Sequence, residues 1–186
     1  VEEGGGMDAL IAAAKAEGEL NVITLPRDWC NYGEMMDTFS TKYGIKVNSL
    51  LPDGGSADEI QAIIDNKETK GPQAPDVIDI GPAYGPLAKE QGLLAPYKVA
   101  TWDTIVGTKD ADGFYYVDYN GVMVLEVNTD VVTDIPTSYA DLNDEKYAGQ
   151  VALAGDPRAS NQAAQSVYAA ALANGGDLDN IQPGLE

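Results

Sequence analysis

The sequence has no histidine, one cysteine and two arginines in 186 residues. The first absence removes the commonest general base and the commonest metal ligand, and with them every catalytic triad built on an imidazole. Cys30, being alone, forms neither an internal disulfide nor a cysteine-based zinc site, so cysteine usage leaves the redox compartment open. It reads as a small, semi-buried filler. Basic residues are scarce as well, 11 against 30 acidic ones, for a formal charge of -19. Nucleic acid and anionic lipid are both bound through basic patches, so neither suits this chain. A soluble, self-repelling surface is the plain consequence. No apolar run approaches the roughly 20 residues of a membrane helix, and no charged segment followed by an apolar one opens the chain. Walker, dinucleotide-glycine and nucleophile-elbow motifs are also missing.

What is present is a globular composition, 44% apolar, laid out as alternating strand and helix signals. VEEGGG at residues 1–6 reads as a short mobile tether. Met7 to Glu17 carries Met7, Leu10, Ile11 and Ala14 at helical spacing, with Gly18 at the C-cap position. Leu20 to Leu25 is β-rich and is stopped by Pro26; Glu34 to Tyr43 then sets Met35, Met36, Phe39 and Tyr43 on one helical face before Gly44. Ile45 to Leu51 predicts a second strand. It is followed by PDGGSADEI, in which Ser56 and Glu59 have capping-box spacing, and by Ile60, Ile63 and Ile64 on an amphipathic helix. DVIDI at 76–80 predicts a third strand, and GPAYGPLAKEQG a loop and short helix. The order βαβαβα argues for a parallel sheet flanked by helices, with the strand-end loops near Trp29, Ser56 and Tyr84 at one edge.

Further on, KDADG at 109–113 resembles half of a calcium loop. Gly121 stands where the closing glutamate belongs, so a plain turn is expected. FYYVDYNGVMVLEVN at 114–128 predicts a long strand bent at Asn120 and Gly121. IPTSYADLNDEKYAG reads as a loop, a short helix seeded near Thr137 or Ser138, and a turn at Gly149. Val151 to Gly176 completes the pattern as a buried strand, a polar loop and an Ala-rich helix ending at glycines.

Taken in order, ELNVIT, APDVIDIG with its AYG, EQGLLAPY, FYYVDYNGVMVLEVNTDVV, IPTSYADLNDEKYAGQVALAGDPRAS and ANGGDLDN resemble the extracellular solute-binding proteins of ABC importers, of type II topology. The likeness is nearest to the branch that binds iron complexes, polyamines, thiamine-type cations and phosphonates. The resemblance implies a periplasmic-binding-protein-like α/β fold. Lobe 1 would run over 7–115 without its returning segment, and 116–186 would be the crossover and the first part of lobe 2. It further implies a small-molecule solute held between lobes, an ABC transporter permease as partner, and neither catalysis nor a cofactor. The setting would be periplasmic or extracellular, with the protein secreted or lipid-anchored. Such proteins continue past the point matched by QPGLE, so a fragment is expected.

The two arginines sit in matching strand-to-helix loops. Arg158, beside a helix N-terminus, suits a carboxylate, phosphate or phosphonate held bidentately; a bridge to Asp156 is the alternative. Arg27 follows the same logic, with Asp28 and Glu34 as rival partners. Ser160 and Asn161 would bind ligand or cap the following helix. Trp29 and Tyr32, with Asn31 between them, would form an aromatic wall or pack locally. Ser56 follows the Gly54–Gly55 turn, where a ligand oxygen gains access to backbone N–H groups. Tyr84 and Tyr119 come from a strand-end loop and from the crossover. These residues favour an anionic or zwitterionic, phosphonate-like ligand, with a polyamine or ferric complex as the alternative. The other functional class is an α/β enzyme working through carboxylates, such as a glycosidase, and a structural or interaction fragment is third.

Overall fold

The computed structural model describes residues 4–69 and 71–185. It divides into two compact units, Val1–Tyr115 and Tyr116–Glu186. The first three residues of the expected tether lie outside the described residues, and Gly6 already belongs to the first helix.

Unit 1 is built on two parallel strands, β1 (Glu19–Ile23) and β2 (Lys46–Leu50), paired from Glu19↔Lys46 to Ile23↔Leu50. Helix α1 (Gly6–Glu17) precedes β1, and α2 (Tyr32–Tyr43) makes the crossover between the strands. Both helices end where glycine supplies a left-handed residue: Gly18 at φ 81° and Gly44 at φ 70°, each donating its N–H back into the last turn. Val22, Leu25, Tyr32 and Met36 form the buried cluster, with Leu20 and Val47 packed on it. Ile23 is fully enclosed. The Met7 and Leu10 side chains of α1 stay exposed, so only the Ile11 and Ala14 edge of its predicted apolar face is covered.

Helix α3 (Ser56–Asn66) and helix α4 (Tyr84–Glu90) flank the segment in which a third strand is predicted. That strand stops after one parallel bridge, Val22↔Val77. The Asp76 and Val77 N–H groups donate to the Asn21 carbonyl, and Ile23 N–H donates to Val77 O. The Asp76 carboxylate also accepts from Asn21 N–H at 2.8 Å. The next donors are claimed by side chains of α3 instead: Asp79 N–H by Glu59 at 2.8 Å and Gly81 N–H by Ser56 Oγ at 3.0 Å. A ladder cannot extend through donors already spent elsewhere.

The same contacts correct the predicted capping box. Gly55 is the N-cap of α3, and Asp58 reaches back to its N–H at 2.9 Å. Ser56 and Glu59 are buried and turn toward 79–81 instead. The DADG segment forms a turn with Gly113 at φ 88°. It is clasped to α4 by Lys89, which reaches Asp110 at 2.7 Å and Asp112 at 3.0 Å and lies over the Phe114 ring.

Unit 2 is helical where it is regular. Two short 3-10 turns, Tyr139–Asn143 and Glu145–Tyr147, precede α5 (Asn161–Ala173), and a third turn, Gln182–Gly184, packs back on it. Ser138 caps the first turn, while Asp141 accepts from Thr137 and Ser138 N–H. The strands predicted at 114–128 and at the start of the Val151 to Gly176 stretch do not form. A strand exists through its neighbour, and no strand lies beside either segment among the described residues of this unit. Val151 and Leu153, expected to be buried, are accordingly about half exposed, at 52% and 48%.

Candidate functional site

The carboxyl ends of β1 and β2 lead into the loops that carry most of the sequence-selected residues of unit 1. Both are tied to residues 79–81, in the segment that leads into α4. Tyr32, in the first turn of α2, donates its hydroxyl to Asp79 Oδ2 at 2.9 Å. From α3, Ser56 accepts from Gly81 N–H and Glu59 accepts from Asp79 N–H. Tyr84 opens α4 immediately afterwards, its N–H closing the turn onto Gly81 O at 2.9 Å. Helices α2, α3 and α4 therefore present their N-terminal turns to one short segment, which is the geometry by which α/β proteins assemble ligand sites beyond strand ends.

Within this arrangement Tyr32 and Ser56 are buried and Tyr84 is half-buried. Asp79 and Glu59 are the two participants that sequence reasoning missed. Asp79 lies inside the apolar run DVIDI, and a charge in such a run was a legible signal. Glu59 shares the spacing of Ser56, Ile63 and Asn66, which is one face of a helix, and that face is the covered one. Its side chain is completely enclosed. Oε2 holds the Asp79 N–H, while Oε1 has no hydrogen-bond partner. Burial away from water pushes this carboxyl up to about 8. The Asp79 N–H opposes the rise, and the negative charges of Asp79 and Asp58 add to it. At neutral pH the group is mostly the uncharged acid.

Arg27 is engaged elsewhere. Its Nη2 bonds Asp37 at 2.6 Å and the Gly33 carbonyl at 3.4 Å, along the outer side of α2, so the local partner is neither Asp28 nor Glu34. A shallow groove lined by Arg27, Glu34, Asp37, Thr38 and Lys42 runs there. Cys30 and Asn31 both have left-handed backbone, φ 43° and 63°, which turns the chain sharply into α2. Cys30 is exposed, contrary to the semi-buried filler expected. Trp29, one residue earlier, is 39% exposed on the same loop. Gly33 belongs to this corner by necessity: a Cβ there would lie 2.6 Å from the Arg27 carbonyl.

In unit 2, Arg158 and Asp156 form a surface pair. The guanidinium reaches both carboxylate oxygens, Nε at 3.0 and 3.2 Å and Nη2 at 2.5 Å, and the Arg158 N–H adds a fourth bond at 2.9 Å. These side-chain bonds first, and the backbone bond second, hold Asp156 down to about 2. The Arg158 side chain is nonetheless 89% exposed. Ser160 is the N-cap of α5: its Oγ accepts from Ala163 N–H at 3.4 Å and donates to Ala154 O at 2.6 Å. Asn161 is the first helical residue. Tyr119 sits on a stretch without regular secondary structure, at 40% exposure. Among the described residues no group of histidine, cysteine or carboxylate side chains is arranged to hold a metal ion, and no helix is long and apolar enough to cross a membrane.

The model of a family described as bacterial extracellular solute-binding protein matches residues 73–183 of this chain, well over half of its length. The match begins just before the DVIDI segment and takes in Asp79, Tyr84, Tyr119 and the whole of α5. No curated protein matches the chain.

Proposed function

We propose a function from one premise: the chain belongs to the bacterial extracellular solute-binding protein family. Its role is to bind a small solute outside the cytoplasm, together with transporter components. Beyond that, we read the two compact units as the two lobes of a binding protein, residues 7–115 and 116–186. They would close on a small polar solute and be recognised by an ABC permease when closed. Closure follows solute binding when contacts to both lobes exist only in the closed state.

The observation that carries this reading is the knot at residues 79–81. A site that selects a solute without chemistry depends on polar groups held in place before the solute arrives. Tyr32, Ser56 and Glu59 do that holding at the strand-end edge. The apolar residues Val122, Val124, Val151 and Leu153, from half to largely exposed, support the further reading that these two segments of unit 2 are paired as strands when the binding protein is at work.

For the ligand, the proposal is an anionic or zwitterionic, phosphonate-like solute taken by Arg158. Both arginines already hold an aspartate, so an anion has to displace one. A solvent-exposed pair is screened and holds its partners weakly, and the Arg158 fork matches a phosphonate as well as it matches a carboxylate. A cationic solute is the second reading, favoured by Asp79 at the strand-end edge and by the net charge of -19.

The test is a thermal-shift panel of phosphonates, phosphate esters, polyamines and ferric complexes. Ligand at a hundred times its dissociation constant adds about 2.7 kcal/mol of stability. Arg158→Ala is expected to remove the response to phosphonates and leave any response to polyamines. Absence of any shift across the panel, together with turnover of a glycoside substrate, overturns the solute-binding reading.

A further inference from the structure

We propose that Glu59 is a proton-operated latch, which as the neutral acid fastens the 79–81 turn onto the first turn of α3 and on ionisation releases it. This goes beyond solute binding and stands whether or not the ligand assignment above is correct.

The argument is geometric. Glu59 is completely enclosed and offers two oxygens to its surroundings. Oε2 accepts the Asp79 N–H at 2.8 Å; Oε1 has no partner. A carboxylate has room for about four hydrogen bonds, so ionised Glu59 in this position would be a buried charge with a single donor. The ionisable groups that face it make matters worse. Asp79 from the turn and Asp58 from α3 itself are both acidic, and Tyr32 of α2 donates its hydroxyl to Asp79 rather than to Glu59. Among the described residues no cation contributes to the balance at this site.

Two effects favour the ionised form. The Asp79 N–H bond strengthens when its acceptor is charged, and the first turn of a helix attracts negative charge. Neither replaces the water lost from an enclosed charge, and an isolated buried carboxylate is the more costly species. The neutral acid, with its proton on Oε1, leaves Oε2 as the acceptor for Asp79 and leaves only an unpaired hydroxyl.

Ionised Glu59 regains water only if the packing between α3 and the turn opens. Besides the Glu59 bond, that packing is held by Ser56 Oγ, which accepts from Gly81 N–H from the same face of α3, while Tyr32 ties Asp79 to α2. Gly81 and Asp79 should therefore report release together.

The experiment is carbon and amide NMR on the full chain between pH 5 and 9.5, without added solute. The expected result is a Glu59 side-chain carboxyl that titrates with a midpoint near 8, and Asp79 and Gly81 amide resonances that move toward unstructured values over the same range. Glu59→Gln keeps a neutral acceptor of the same shape, and is expected to hold both amides at their low-pH positions throughout. Should that variant fail to fold, the wild-type carboxyl titration still decides. A midpoint near 4.5 overturns the latch, and so does a midpoint near 8 with both amides unmoved. Because no solute is present, failure here leaves the thermal-shift panel to judge solute binding separately.

Discussion

Glu59 links the stability of unit 1 to pH, and the sign and size follow from its position. The folded carboxyl titrates near 8, while an ordinary glutamate titrates near 4.5. Below 4.5 both folded and unfolded chains carry the proton, and its contribution to stability is complete. Between 4.5 and 8 the unfolded chain has released the proton and the folded chain has not, so each unit of rising pH favours unfolding by about 1.4 kcal/mol. Over the interval from 4.5 to 8 this amounts to about 5 kcal/mol, an upper bound, because the 79–81 turn opens before the whole unit unfolds. Above 8 the curve is flat again. Since domains of this size are stable by about 5–15 kcal/mol, even half of that loss is readily measured.

The assay is urea unfolding followed by tryptophan fluorescence at a series of pH values. Both tryptophans, Trp29 and Trp102, lie in unit 1, so the signal reports that unit alone. The wild type is expected to lose several kcal/mol between pH 5 and pH 8.5, and Glu59→Gln to be nearly flat over the same range. Carboxyls held low by their partners, Asp110, Asp141, Asp144 and Asp156, act with opposite sign: their stabilisation is present above 3.8 and is lost as pH falls further. They do not interfere in the window used. Parallel curves for wild type and Glu59→Gln would refute the linkage.

Ile23→Ala removes a fully enclosed side chain from β1 and is expected to cost about 2–5 kcal/mol in the same urea assay. Ser160→Ala deletes the cap of α5 together with its bond to Ala154 O. About 1 kcal/mol is expected, read as a lower midpoint for loss of helical circular dichroism. Gly184 lies so close to the backbone of α5 that a Cβ would overlap the Val167 carbonyl and approach Ala171 N to 2.6 Å. Gly184→Ala is expected to detach the 182–184 turn at a cost of about 1–3 kcal/mol, seen as loss of hydrogen-exchange protection at Leu185 N–H, which donates to Gln182 O.

Helices were the legible part of this chain because their signals are local. The glycines at 18 and 44 stop α1 and α2 where the periodicity ends, and the Ala-rich run after Ser160 becomes α5 almost to the residue. Strands were legible only where a partner exists. Leu20 to Ile23 and Val47 to Leu50 carry the same kind of apolar pattern as Tyr115 to Val127 and Val151 to Leu153. The first two face each other across a parallel ladder, whereas the latter two have no neighbouring strand among the described residues. A β pattern states which side of a segment favours burial and contains nothing about what will cover it. The half-exposed Val151 and Leu153 measure that gap.

At the candidate site, the residue types were legible and their partners were not. Arginine invites an anion wherever it stands, but a carboxylate two or ten residues away answers first: Asp156 for Arg158 and Asp37 for Arg27. The spacing of Ser56 and Glu59 fits two arrangements equally well, a cap that folds back on the helix's own N–H groups or a pair of acceptors for someone else's. Asp58 decides between them. By supplying the reciprocal bond to Gly55 N–H, it frees Ser56 and Glu59 to serve Gly81 and Asp79, and the first turn of α3 becomes a clamp on a neighbouring segment. The clamp closes on donors that a third strand would have spent on β1. The truncated strand and the enclosed glutamate are therefore one feature. A substitution that restored ordinary capping by Glu59 would be expected to lengthen the sheet and loosen the strand-end edge together.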